Sequence, residues 1–198
     1  MNIGMLFGTA SLTAAMALGA VPPAAQPAQA CAAVQPVSPS GNRMLRQEAN
    51  RLFAAIDADA QATRDAAAKV QSYDNDTLIS WETHAVQWNK AQRAVNDIGE
   101  KVCRLEEIRP ALAPWQQRIV DQVAVSTRLM ADNAEDAILF LNDHEGNLWM
   151  PMYKRYAANL YQQADQMTKS TSRASDYARV RREYRQLQKD LSPTGGGE

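Results

Sequence analysis

Two histidines and two cysteines are the scarce residues of this 198-residue chain that first invite a reading as metal ligands, bases or nucleophiles, with neighbouring carboxylates as their partners. His84 lies between Trp81 and Trp88, next to Glu82, at a spacing that sets the three rings on one face of a helix. A histidine in the seam of a helical bundle can ligate haem or a metal. It also serves as an aromatic-sized filler whose second nitrogen finds water or a carbonyl, and a single ligand without partners favours that reading. His144 sits beside Glu145 in a loop-like stretch. If the helices run antiparallel, Asp76, Glu82, His84, Asp143, His144 and Glu145 share one end of the bundle. Neither histidine belongs to an E-x-x-H or H-x-x-x-H unit, so no metal or other cofactor is expected. Trp81, His84, Trp88 and His144 remain the candidates for an alternative function, a bundle that holds a small ligand, haem or metal.

Other chemistries fail on missing motifs. Ferritin-like di-iron sites need a Glu-x-x-His on each of two helices, and c-type haem needs Cys-x-x-Cys-His; neither occurs. A haem bundle of the b562 type wants a histidine in its last helix, where this chain has none. Phosphate loops, Gly-x-Ser-x-Gly and zinc-protease signatures are absent, and two histidines give no basis for a triad. The L-T-x-x-Q motif of small exported stress chaperones is missing too. The chain is not expected to be an enzyme.

The elements that would carry these residues are helical. Glycines and aromatics are few and alanine is abundant. With 21 basic and 22 acidic residues, there is no overall pull towards nucleic acid or anionic lipid. The clearest seam is Trp81, His84, Trp88, Ala91, Val95, Ile98, Val102 and Leu105, in steps of three and four. It belongs to a second helix that starts at Asp76 or Ser80 and is stopped by Pro110. Gly99 inside it is expected to allow close packing.

A first helix from about Asn42 carries Leu45, Ala49, Leu52, Ile56, Thr63, Ala67 and Val70, with Phe53 beside the stripe. A third opens at Pro114 and runs through Trp115, Ile119, Val123, Met130, Ala137 and Leu141, with Gly146 available for a left-handed cap. A fourth runs from about Pro151 to Leu191 through Tyr156, Leu160, Ala164, Met167, Tyr177, Tyr184, Leu187 and Leu191, with a bend expected at Ser170-Thr171-Ser172. Short connections between such segments predict an all-α, antiparallel up-down-up-down four-helix bundle over residues 42–191. Three helices with a fourth projecting is the alternative.

The first thirty residues read as a signal peptide. No charge precedes Arg43, an apolar run covers Ile3 to Val21, and Ala28-Gln29-Ala30 is a cleavage pattern that would leave Cys31 at the mature N-terminus. The lack of a basic residue at the extreme N-terminus leaves an uncleaved anchor as the other reading. Cys31 is read as acylated, as bonded to Cys103 in an oxidising compartment, or as a plain thiol. Residues 31–41 form a flexible leader and residues 192–198 a disordered tail.

Two surfaces remain. Leu148, Trp149, Met150, Met152 and Tyr153 make an apolar connection that either plugs the bundle end or meets a partner. Arg179 to Arg185 with Lys189 is a basic tract, read first as cations that complement a helix C-terminus. The expectation is a periplasmic or extracellular helical bundle that acts through protein or cell-envelope contacts. It would bind no nucleic acid, and would touch membrane only through an uncleaved or lipidated N-terminus.

Overall fold

The structure is a computed structural model that describes residues 41–73 and 78–191. All its regular structure within these residues is helical, in four long helices: α1 (Gly41–Ser72), α2 (Trp81–Ile108), α3 (Pro114–Asp143) and α4 (Pro151–Leu191). The expected signal peptide, leader and tail, together with Cys31 and Asp76, lie outside the described residues.

Each helix packs on the next, and α4 closes the set against α1. Polar contacts fix which ends meet. Near the start of α1, Arg46 donates to the carbonyl of Ala111, while Glu48 receives Arg104 from late α2 at 2.7 Å. Gln116 at the start of α3 donates to Arg46 O and Asn50 Oδ1, each at 3.1 Å. At the other end of α1, Gln71 donates to Ala157 O near the start of α4. The buried Gln116 also accepts the Ala113 N–H, so both ends of its amide are satisfied.

The interior follows heptad-like rows. In α2 the buried residues include His84, Trp88, Ala91, Val95, Ile98, Val102 and Leu105, which reproduces the expected seam; Trp81 packs at its edge. In α1 the row is Ala49, Phe53, Ile56, Ala60, Thr63, Ala67 and Val70. Phe53 therefore takes the seam and Leu52 the flank, the reverse of the sequence reading. Small residues on α1 (Ala49, Ala60, Ala67) and on α4 (Ala157, Ala164, Ala174) let these two helices make the most extensive contact in the fold.

Several local expectations are corrected. Of the two starts expected for α2, the structure takes Ser80, which occupies the N-cap position, and not Asp76. Arg109 keeps helical backbone angles ahead of Pro110, because the chain tightens into a 3-10 turn over Arg109–Ala111 rather than breaking. Gly146 does not take up a left-handed conformation; α3 ends at Asp143 and is followed by His144 as its cap, with φ −138°. The Ser170–Ser172 segment stays helical. Thr171 Oγ1 lies 2.7 Å from Asp57 Oδ1, with Ser172 Oγ donating to the same oxygen, so a carboxylate on α1 holds the turn that propensity alone would loosen.

Gly99 does not mark a close approach, since a Cβ there would meet nothing within 4 Å. Gly99→Ala should therefore stabilise the fold by about 0.5–1 kcal/mol, measured by urea unfolding. A loss of stability would mean that α2 packs more tightly at Gly99 than described.

α4 has 41 residues against 28 to 32 for the other three helices. The excess of roughly ten residues amounts to about 15 Å of helix that no other helix among the described residues matches in length. Residues 179–191 are all exposed. This contradicts the expectation that Tyr177, Tyr184, Leu187 and Leu191 continue the core stripe. The buried row of α4 is Tyr153, Ala157, Leu160, Ala164, Met167, Thr171, Ala174 and Ala178, and it ends there.

Candidate functional site

The ring cluster around His84 is assembled by three helices. α2 presents His84 and Trp88 one turn apart, α4 brings Tyr153 from its first turn, and α3 adds Phe140. The Tyr153 hydroxyl stands 2.9 Å from His84 Nδ1 and 2.8 Å from Trp88 Nε1. An indole N–H only donates, so the hydroxyl accepts from Trp88. A neutral imidazole protonated at Nε2 can in turn accept the hydroxyl proton at Nδ1. Tyr73 meets the His84 ring edge-on at 5.1 Å between centroids.

Burial is the cause that pushes the pKa of His84 below its ordinary 6.5. The sign follows directly. Below pH 6.5 the unfolded chain takes up a proton that the folded chain refuses, so the contribution of His84 is intact above 6.5 and is lost as pH falls towards the folded value. The stability of the protein should therefore decline below pH 6.5 by up to about 1.4 kcal/mol per pH unit. His84→Phe should remove that component of a urea series run from pH 5 to 7.5. An unchanged pH profile in the variant would show that His84 is not the group responsible.

His144 reaches the same end of the molecule without joining His84. It stacks on Phe140 at 4.3 Å between centroids, and its Nδ1 lies 3.2 Å from Phe140 O. Phe140 and Tyr153 stand between the two histidines. Among the described residues, no group of three or more His, Cys, Asp or Glu side chains is placed to hold a metal ion. Trp81, three residues before His84, is partly buried against the core and makes none of the ring contacts of this cluster. What these rings do chemically is mutual satisfaction: each polar atom of Trp88 and His84 that faces inward is met by the Tyr153 hydroxyl.

The apolar connection divides between its two readings. Tyr153 is buried, and Leu148 and Met150 pack on the core, which is the plug. Trp149 (68% exposed) and Met152 point outward. Sequence reasoning left Tyr153 between plug and surface patch and missed that its hydroxyl is the partner of His84. No local signal carries that pairing, because 69 residues separate the two positions.

At the opposite end, α3 and α4 border an open groove of about 370 Å3, lined by Trp115, Arg118, Ile119, Gln122, Arg173 and Tyr177 among others. Trp115 and Tyr177 meet edge-on at 4.8 Å. Beyond Tyr177 an apolar row continues into water: Val180, Tyr184 (61% exposed), Leu187 (59%) and Leu191 (80%). Val180 was missed as a member of this row, although the three-and-four spacing of 177, 180, 184, 187 and 191 was there to be read. The basic tract lies on the same stretch, and part of it is locally paired: Arg179 bridges Asp176 at 3.2 Å and Glu183 at 3.3 Å.

Cys103, half-buried on α2, is disulfide-bonded, and no cysteine among the described residues is free. Within the described residues no helix is long and apolar enough to cross a membrane. Comparison with known proteins adds no assignment: no protein-family model, no curated protein and no solved structure matches this chain.

Proposed function

We propose that this chain is an exported, non-enzymatic helical bundle, folded up-down-up-down with antiparallel neighbours, that works by protein contact through the free end of α4. The observation that carries the reading is the apolar row Val180, Tyr184, Leu187 and Leu191, standing in water on a stretch that the bundle does not cover. An exposed row of this kind on an otherwise polar helix marks an interaction surface. The pairing of late α2 and early α3 with early α1, and of late α1 with early α4, supports the alternating directions. The disulfide at Cys103 and the Ala28-Gln29-Ala30 pattern support export to an oxidising periplasmic or extracellular space, with Cys31 as the bonding partner. On this reading residues 1–30 are removed and the Cys31 sulfur is taken up by the disulfide, so that it carries no lipid; retention of residues 1–30 is the alternative by which the chain would approach a membrane.

The test is photo-crosslinking in intact cells from a probe placed at Leu187, with Arg128 on the exposed face of α3 as the control position. Adducts to protein from position 187 and none from position 128 are expected. Absence of any protein adduct at 187 would overturn the reading.

A further inference from the structure

We infer that the free end of α4 pairs with a second copy of itself, as a short parallel coiled coil about a two-fold axis. This rests on the contact reading above and names the partner. The row Tyr177, Val180, Tyr184, Leu187, Leu191 alternates steps of three and four throughout, which is the a/d repeat of a two-stranded coiled coil. In that register Tyr177, Tyr184 and Leu191 occupy a positions, and Val180 and Leu187 occupy d positions. The residues that flank the seam then sort by charge. Every g position is acidic (Asp176, Glu183, Asp190), whereas the e positions are Arg181 and Gln188, with Arg185 next to them at b.

That segregation decides between occupants. In a parallel pair the g residue of one helix faces the e residue of the next heptad on its partner, so Asp176 of each copy meets Arg181 of the other. The arm is its own complement under a two-fold axis. In an antiparallel pair g faces g, and acid would oppose acid. On an anionic lipid surface both flanks face the headgroups, and the acidic one is repelled. Within one copy Arg179, at a c position, bridges Asp176 and Glu183, and the Arg181 guanidinium lies 5.8 Å from the centre of the Tyr177 ring; pairing exchanges the Arg179–Asp176 contact for one to Arg181 of the other copy.

The bundle leaves room for a second copy. At about 100° per residue, the exposed row is rotated roughly 140° around α4 from the row that ends at Ala178. From Val180 onward the seam therefore faces away from the core of its own bundle, while Tyr177 at its start rests edge-on against Trp115 of α3. Two bundles joined along it would sit on opposite sides of the pair.

Five seam residues a side make a small interface, so association is expected in the micromolar range. Sedimentation of the purified chain with its disulfide intact should show dimer at about 100 µM and monomer at about 1 µM. Leu187→Asp should be monomeric at both concentrations with an unchanged melting curve, because Leu187 is exposed in the single chain. Arg181→Glu should weaken pairing about tenfold, and Asp176→Arg combined with Arg181→Glu should restore it. A wild-type chain monomeric at the higher concentration overturns the inference. If position 187 still crosslinks to another protein in cells, the contact reading survives that result. A dimer insensitive to both charge changes overturns the parallel register. Binding to 4:1 phosphatidylcholine–phosphatidylglycerol vesicles that Leu187→Asp abolishes, in a chain that does not dimerise, overturns self-pairing in favour of a lipid surface.

Discussion

Tyr153→Phe is expected to destabilise the fold by about 2–4 kcal/mol, although it removes a single oxygen. That oxygen lies 2.8 Å from the Trp88 indole nitrogen and 2.9 Å from His84 Nδ1, with all three residues buried. The ring volume survives the substitution, so the packing of α4 on α2 and α3 is retained. What is lost is the partner of two polar atoms, and each buried group left without one costs about 1–3 kcal/mol. Urea unfolding at pH 7.5 measures the loss. The double variant with His84→Phe should fall short of the sum of the two single effects, because the two residues share one contact. Full additivity, or a single-variant effect below about 0.5 kcal/mol, would show that the hydroxyl does not hold the cluster.

The second large effect concerns Cys103. If its partner is Cys31, the bond closes a loop of about 70 residues, for which chain-entropy arguments give roughly 4 kcal/mol as the ideal stabilisation. Cys103→Ser should lower the unfolding free energy by about 2–4 kcal/mol, and reductant should reproduce that loss in the parent chain. Cys31→Ser must then match Cys103→Ser, since both remove the same bond. A clear difference between the two variants would contradict the pairing.

The parts of this fold that were legible in the sequence are those set by local period. The α2 seam from His84 to Leu105 needed only the alternation of three and four, since its apolar residues leave no competing row. In α1 the same rule is ambiguous, because Leu52 and Phe53 are neighbours and both apolar; packing against α4 and α2, not spacing, puts Phe53 inside.

α4 is the instructive case. It carries two apolar rows on different faces, one inside the bundle up to Ala178 and one outside it from Tyr177 onward. Read as one stripe they merge, because period reports that a face is apolar and not what covers it. What divides them is the length of the other helices and the anchoring of early α1 by Gln116 and Ala111. The ring cluster was half legible. His84 stood out as a seam residue, but its partner arrives from the first turn of α4, and only the closing of the bundle brings the two together.

The central claim is that the chain beyond Ala178 belongs to the surface and not to the core. Its most direct test is the unfolding free energy of a chain ended after Ala178, measured at about 1 µM, where the intact chain is expected to be monomeric. The account predicts a value within about 0.5 kcal/mol of the intact chain, as for other surface changes. A loss of more than about 2 kcal/mol, of the size that follows from removing core contacts, would contradict it.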